Sequence, residues 1–219
     1  MPIYTKNLLI LGDSFCSDRT RNTDWPIIVQ NSLLTSLHGQ GFPGASWWST
    51  RNSFIKQIAV APNIAIFCHT EPNRIPHNDN WGLNIGSTEL GVIYEHGCST
   101  PMTNEFKLAC ELYYKHLWCP EYNEWALTRW LCELDELTKD IEIVLHFFGF
   151  EHHASRYHEF QHGVSFSDAL VNYATMSHDS DITNHFDIAT NQRFADLVLE
   201  HIHNYPGAGV RIDRKLDLR

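Results

Sequence analysis

Residues able to perform acyl transfer stand near both ends of this chain. Ser14 closes the tripeptide Gly12-Asp13-Ser14, and Asp179, Asp181 and His185 stand shortly before the last helical pattern. A serine hydroxyl is a weak nucleophile until a histidine removes its proton, and a carboxylate must orient that histidine. Gly-Asp-Ser is also ordinary turn chemistry, with Asp and Ser bonding their own backbone. The tripeptide therefore takes its meaning from the elements around it.

The serine follows four apolar residues, Leu8, Leu9, Ile10 and Leu11. Such a run reads as a strand buried on both faces. Gly12 breaks it, so Ser14 sits above a rigid sheet, where its backbone N–H can form half of an oxyanion hole. Asp24 is a plausible N-cap with Pro26 in the first turn. Trp25, Ile28, Val29 and Leu33 then fall at helical spacing, predicting a helix to about Leu37. Strand, serine turn and helix open a parallel α/β sheet.

The segment 39–48 holds Gly39, Gly41, Pro43, Gly44, Trp47 and Trp48. Its glycines let another backbone or a ligand approach closely. The tryptophans read as core, as a substrate platform, or as one of each. A helix over 50–59 and a second buried strand over 63–68 follow. That strand runs into the polar cluster His69-Thr70-Glu71-Pro72-Asn73-Arg74. Strand ends of one polarity gather where ligands bind in a parallel sheet, so this cluster is either near Ser14 or a solvated loop. Residues 75–103 read as a long functional loop or lid.

Helices are expected over 104–117 and 123–137, broken at Pro120, with Leu127, Trp130, Leu131 and Leu134 as a core stripe. A third strand spans 141–148. In the histidine-rich loop that follows, His158 and His162 are four apart, a zinc-compatible spacing if both lie on one helix. No H-E-x-x-H pattern accompanies them. A short helix is expected over 167–175 and a final one over 187–203, with a loosely held tail from 206. The whole reads as one domain, 1–219.

At 219 residues with a net charge of −10, the chain is large enough for a substantial core and lacks the basic surface of a typical nucleic-acid binder. No run approaches the roughly 20 apolar residues of a membrane span. Met1-Pro2-Ile3-Tyr4 leads almost directly into the first strand, which does not read as a cleaved signal and implies a cytoplasmic protein. Six cysteines, none in C-x-x-C spacing, read as reduced thiols.

Taken in order, the Gly12-Asp13-Ser14 turn, the glycine loop ending in Gly44, the polar loop after the second strand and the late Asp/His loop resemble the SGNH (GDSL-like) hydrolases. Residues 70–74 and 184–186 look like variants from phage-encoded members, which would place the protein in a phage particle. The resemblance implies a flavodoxin-like three-layer α/β/α sandwich. It implies Ser14 as nucleophile, His185 as general base, and an oxyanion hole from Ser14 and Gly44, with no cofactor and no metal. The family's carboxylate stands three residues before the histidine, where this chain has Ile182. Asp181 is the nearest upstream carboxylate, with Asp179 in reserve. The family's Gly-x-Asn-Asp block is altered too: either Asn73 takes over the oxyanion role or the side-chain donor is missing. Arg74 would hold an anionic substrate or pair with Glu71, and Trp47 would contact substrate. The implied activity is hydrolysis of a small acyl ester, such as an O-acetyl group on a carbohydrate. The alternative is an inactive relative that binds glycan or serves a structural role.

Overall fold

The computed structural model describes residues 6–16, 21–42, 45–76, 82–85, 93–94, 104–150, 158–174, 186–213, 215, 216 and 218. One sheet carries six parallel strands, in the order β2 (Ser36–His38), β1 (Asn7–Gly12), β3 (Ile64–His69), β7 (Ile143–Phe148), β8 (Val164–Ala169) and β9 (Val210–Ile212). Within the expected lid region, β4 (Ile75–Pro76), β5 (Gly82–Ile85) and β6 (Ile93–Tyr94) make a small antiparallel sheet. The helices are α1 (Trp25–Leu33), α2 (Trp47–Gln57), α3 (Asn104–His116), α4 (Pro120–Leu137) and α5 (Ile188–His203). None of the described helices is long and apolar enough to cross a membrane.

The central strands are covered on both faces because successive side chains point opposite ways. Leu8 and Ile10 of β1 join a core with Trp25 and Val29 of α1 and Phe194, Val198 and Ile202 of α5. Leu9 and Leu11 join a second core with Phe54 of α2 and Leu127, Trp130, Leu131 and Leu134 of α4. Two helical layers thus sandwich the sheet, as expected for the three-layer architecture. All four residues of the β1 run are fully buried, and each such leucine contributes about 2 kcal/mol of apolar burial.

Three local expectations are corrected by long-range pairing. The first helix ends at Leu33, because Leu34 takes a left-handed conformation (φ 52°) and Thr35 N–H donates to the Gln30 carbonyl at 3.3 Å. Residues 36–38 then pair with β1 as an edge strand. The short helix expected over 167–175 is instead β8 followed by a 3-10 turn over Leu170–Tyr173. Val164 and Phe166 bury in the first core, and Leu145 and His146 of β7 pair with Val164 and Ser165. Ladder bonds to a buried neighbour outweigh weak local helical preference. The tail is held rather than loose. Val210 pairs with Val164 in β9, Leu216 and Leu218 are buried, and Arg193 Nη1 donates to the Leu218 carbonyl at 2.9 Å.

The described part of the histidine-rich loop makes internal contacts. His158 and His162 lie outside any helix, contrary to the zinc-compatible arrangement. His158 Nε2 is 2.8 Å from Asp135 Oδ2, and the same carboxylate accepts from Gln161 N–H and His162 N–H. On the α2–α4 face, His69 of β3 and His146 of β7 are buried and share a 3.0 Å hydrogen bond between Nε2 and Nδ1. Their rings stack with Phe67 and Phe160.

Burial disfavours the charged form of both rings, pushing His69 down to about 3 and His146 well below the usual imidazole range. A base that is neutral when folded yet protonates when unfolded stabilises the protein fully above about pH 6.5, and that stability falls as the pH drops further. Urea unfolding at pH 7 and pH 5 should therefore show a large acid loss. His146→Phe, which can occupy the same stack, should lose about 2 kcal/mol less between those two pH values.

Candidate functional site

The loops after β1 and β3 leave adjacent parallel strands toward opposite helical layers. This is the switch point of a doubly wound sheet, and ligands bind in the crevice outside the carboxyl ends there. Ser14 follows β1, and the cluster 70–74 follows β3. The two ends are sewn together: Gly12 pairs with Cys68, and Asp13 N–H donates to the Cys68 carbonyl at 3.3 Å. Gly12 has φ +153°, and a Cβ there would lie 2.2 Å from the Cys68 oxygen, so no other residue fits.

Past Gly12 the chain enters a 3-10 turn over Ser14–Cys16. Asp13 fixes it twice. Its carbonyl accepts from Cys16 N–H at 3.2 Å, and its Oδ1 accepts from Phe15 N–H at 3.1 Å. Ser14 lies between these bonds and is half-buried. The glycine loop closes on the same turn. Gly41 bridges to Gly12, and Phe42 N–H donates to the Gly12 carbonyl at 3.2 Å. A Cβ at Gly41 would come within 2.4 Å of both the Asp13 carbonyl and Cys16 Sγ. The expected close approach of a glycine backbone is therefore real, and its partner is the serine turn.

Asp13 is fully buried, and its Oδ2 has no hydrogen-bond partner among the described residues. Arg74 Nη1 lies 3.8 Å from that oxygen, an ion-pair distance too long for a hydrogen bond. Burial pushes the Asp13 carboxyl up to about 6. The Arg74 charge and the Phe15 N–H pull it down, and Glu71 adds a smaller upward push. Sequence reasoning assigned Asp13 only to turn formation. The available signal was an ionisable residue placed directly at the end of a wholly apolar strand.

Arg74 is only 5% exposed. Its Nη1 donates to the Ala45 carbonyl at 3.3 Å, its Nε lies 3.5 Å from Glu71 Oε1, and its guanidinium sits 5.3 Å from the Phe150 ring centre. The guanidinium is engaged inside the protein, and its Nε lies at ion-pair distance from Glu71, the pairing that the sequence offered beside an anionic substrate. Asn73 is half-buried in the turn after β3. Trp47 is half-buried at the start of α2 and packs against the second core, while Trp48 is 40% exposed under the Arg51 guanidinium. The two tryptophans diverge because they occupy consecutive helical positions capped by Ser46, which accepts from Ser49 N–H.

Gly44, Asp179, Asp181 and His185 lie outside the described residues. The chain is described again from Phe186. Its ring centre lies 5.4 Å from that of Phe15 and 5.3 Å from that of Phe194. Asp187 caps α5, its Oδ1 accepting from Thr190 N–H at 2.7 Å. The start of α5 is fixed beside the serine turn through Trp25, whose N–H donates to Asn191 Oδ1 and whose indole donates to the Phe15 carbonyl.

Sheet order and helical layers define a doubly wound α/β protein with flavodoxin-like strand order and one added edge strand. No family model matches the chain, and no curated protein matches it in sequence. Among solved structures it is similar to an acetyl xylan esterase from the rumen bacterium Butyrivibrio proteoclasticus, at 13% identity and a TM-score of 0.44. That match covers 94% of this chain and 65% of the esterase, so the chain spans less than two thirds of that enzyme.

The buried carboxyl makes a signed prediction. Asp13 is held neutral in the fold up to about pH 6 but ionises near 3.8 when unfolded. Its contribution to stability is therefore present at low pH and lost as the pH rises through that window. Asp13→Asn has no such loss. Its stability relative to the parent should improve by roughly 3 kcal/mol between pH 3.5 and pH 7. Urea titrations of both proteins at the two pH values measure this double difference.

Proposed function

We propose that the protein is a serine ester hydrolase of SGNH type, acting on small acyl esters such as O-acetyl groups on carbohydrate. The observation that carries this reading is the 5.4 Å ring contact of Phe15 with Phe186. It joins the residue after Ser14 to the residue after His185, which supports a common site for residues 171 positions apart in the sequence. The position of Ser14 at the switch point, on a turn stiffened by Asp13, supports a nucleophile rather than a passive turn residue.

In this reading Ser14 Oγ attacks the ester carbonyl while His185 takes its proton. The acyl–oxygen bond of the ester then breaks, and His185 returns the proton to the departing alcohol. Water next attacks the acyl-serine by the same route, releasing the acid and restoring Ser14. Backbone N–H groups of Ser14 and Gly44, with the Asn73 amide, stabilise the oxyanion. Each such donor is worth about 10²–10³ in rate. Asp181 orients the imidazole. Trp47 borders the substrate, with Trp48 outside it. The chain is read as one domain with a lid or insertion over 75–103.

A fluorophosphonate should label the intact protein on Ser14, and Ser14→Ala should abolish labelling while far-UV circular dichroism stays parental. The labelling rate should rise with pH through an ionisation near 6.5 or above, that of an imidazole base with a carboxylate partner. Because Asp13 titrates nearby, the profile is repeated in Asp13→Asn, where the histidine ionisation must remain. Asp181→Asn should slow labelling strongly and Asp179→Asn little. Losing the orienting carboxylate costs about 10⁴ in kcat in the chymotrypsin-like proteases. An adduct on another serine, or none, would overturn the assignment and favour a glycan-binding or structural protein.

A further inference from the structure

We infer that Arg74 is a positioning residue, whose buried guanidinium holds the Ser14 turn and the segment of Phe42 and Ala45 at a fixed separation. The inference rests on the esterase reading for its catalytic consequence, but its structural content stands on described contacts alone. One hydrogen-bonded carbonyl and two carboxylates at ion-pair distance, from three different stretches, surround the one guanidinium. Ala45 offers its carbonyl at 3.3 Å, Asp13 its Oδ2 at 3.8 Å and Glu71 its Oε1 at 3.5 Å. At 5% exposure the side chain has little surface left for a solute.

Asp13 and Ala45 each belong to a part of the site. Asp13 binds Phe15 N–H with its other oxygen, so the carboxylate that faces Arg74 also sets the turn around Ser14. Ala45 N–H donates to the Phe42 carbonyl at 3.0 Å, and Phe42 N–H donates to Gly12 at 3.2 Å. Arg74 therefore closes a ring of contacts that runs through Gly12, Asp13, Phe42 and Ala45. The segment it grips at Ala45 directly follows Gly44, one of the proposed oxyanion donors. Space around the pair is limited, since a Cβ at Gly149 would lie 3.0 Å from Asp13 Oδ2.

The chemistry requires arginine. A planar guanidinium presents five donors in a rigid fork and keeps its charge when buried. Lysine offers a compact ammonium whose three donors radiate from a single atom without the span of the fork, and it loses its charge more readily on burial. A shift of about 1 Å between a nucleophile and its oxyanion donors is enough to slow a reaction about 10²-fold. Holding that separation is a task for a buried, forked cation.

The test compares the parent with Arg74→Lys at a temperature where both are fully folded. Amide hydrogen exchange at Phe15 and Ala45 should quicken tenfold or more in Arg74→Lys, while the amides of β3 residues 65–67 keep parental rates. Fluorophosphonate labelling of Ser14 should slow at least tenfold without a change in the global melting transition that accounts for it. If Arg74→Lys does not fold, Arg74→Met, which buries no charge at that position, is measured for the same amides with the same expected outcome. Unchanged exchange at Phe15 and Ala45 overturns the inference. Faster exchange in a protein whose parent never labels upholds the positioning role and overturns the esterase reading instead. Faster exchange with undiminished labelling would show that the separation does not matter to the serine, and removes the catalytic half of the proposal.

Discussion

The hydrogen bond from Asp13 N–H to the Cys68 carbonyl is the interaction on which the site depends. It extends the β1–β3 ladder one residue past the last strand position, and it forms because only hydrogen projects from Gly12 toward Cys68. With that bond in place, Asp13 is buried at the sheet edge and Ser14 begins the turn beyond it. The bridge of Gly41 to Gly12 then brings a second backbone against the same turn. A methyl group at either glycine would force the two segments apart.

Drawing Asp13 inward leaves an ionisable group without water. The surroundings compensate only in part. One carboxylate oxygen takes a backbone N–H, the other faces Arg74 at ion-pair distance, and the net result is still a carboxyl titrating near 6. One cation stands between two carboxylates, Asp13 and Glu71. A buried pair of this kind is weak evidence for stability, because desolvation offsets much of its attraction. Its value lies in geometry, since the charges tie three chain segments to one point.

Aromatic packing does for the rest of the site what the ion pair does at its centre. Phe15 is packed between Phe150 and Phe186, and Trp25 joins the serine turn to α5 by two hydrogen bonds and a ring contact with Phe194. On the opposite face, His69 and His146 behave as flat core residues in a stack with Phe67 and Phe160. Their mutual hydrogen bond satisfies one nitrogen of each ring while burial keeps them uncharged. The α2–α4 layer can therefore seat directly on the sheet beside the switch point.

The amino-acid sequence by itself determined the three central strands, the α1, α2, α4 and α5 helices within a few residues, and the turn that ends in Ser14. These elements carry their own instructions: apolar runs, 3.6-residue periodicity, a proline between two helices, glycine where backbones must touch. It did not reveal β2, β8 or β9. Ser36–His38, Val164–Ala169 and Val210–Ile212 have little strand character alone and become strands through ladder bonds to neighbours already in the sheet. Nor did it reveal that Arg74 faces inward to Asp13, sixty-one positions earlier. Local pattern reports which face of an element is apolar. Which buried charge meets which is decided by the order in which strands assemble, and that order exists only in three dimensions.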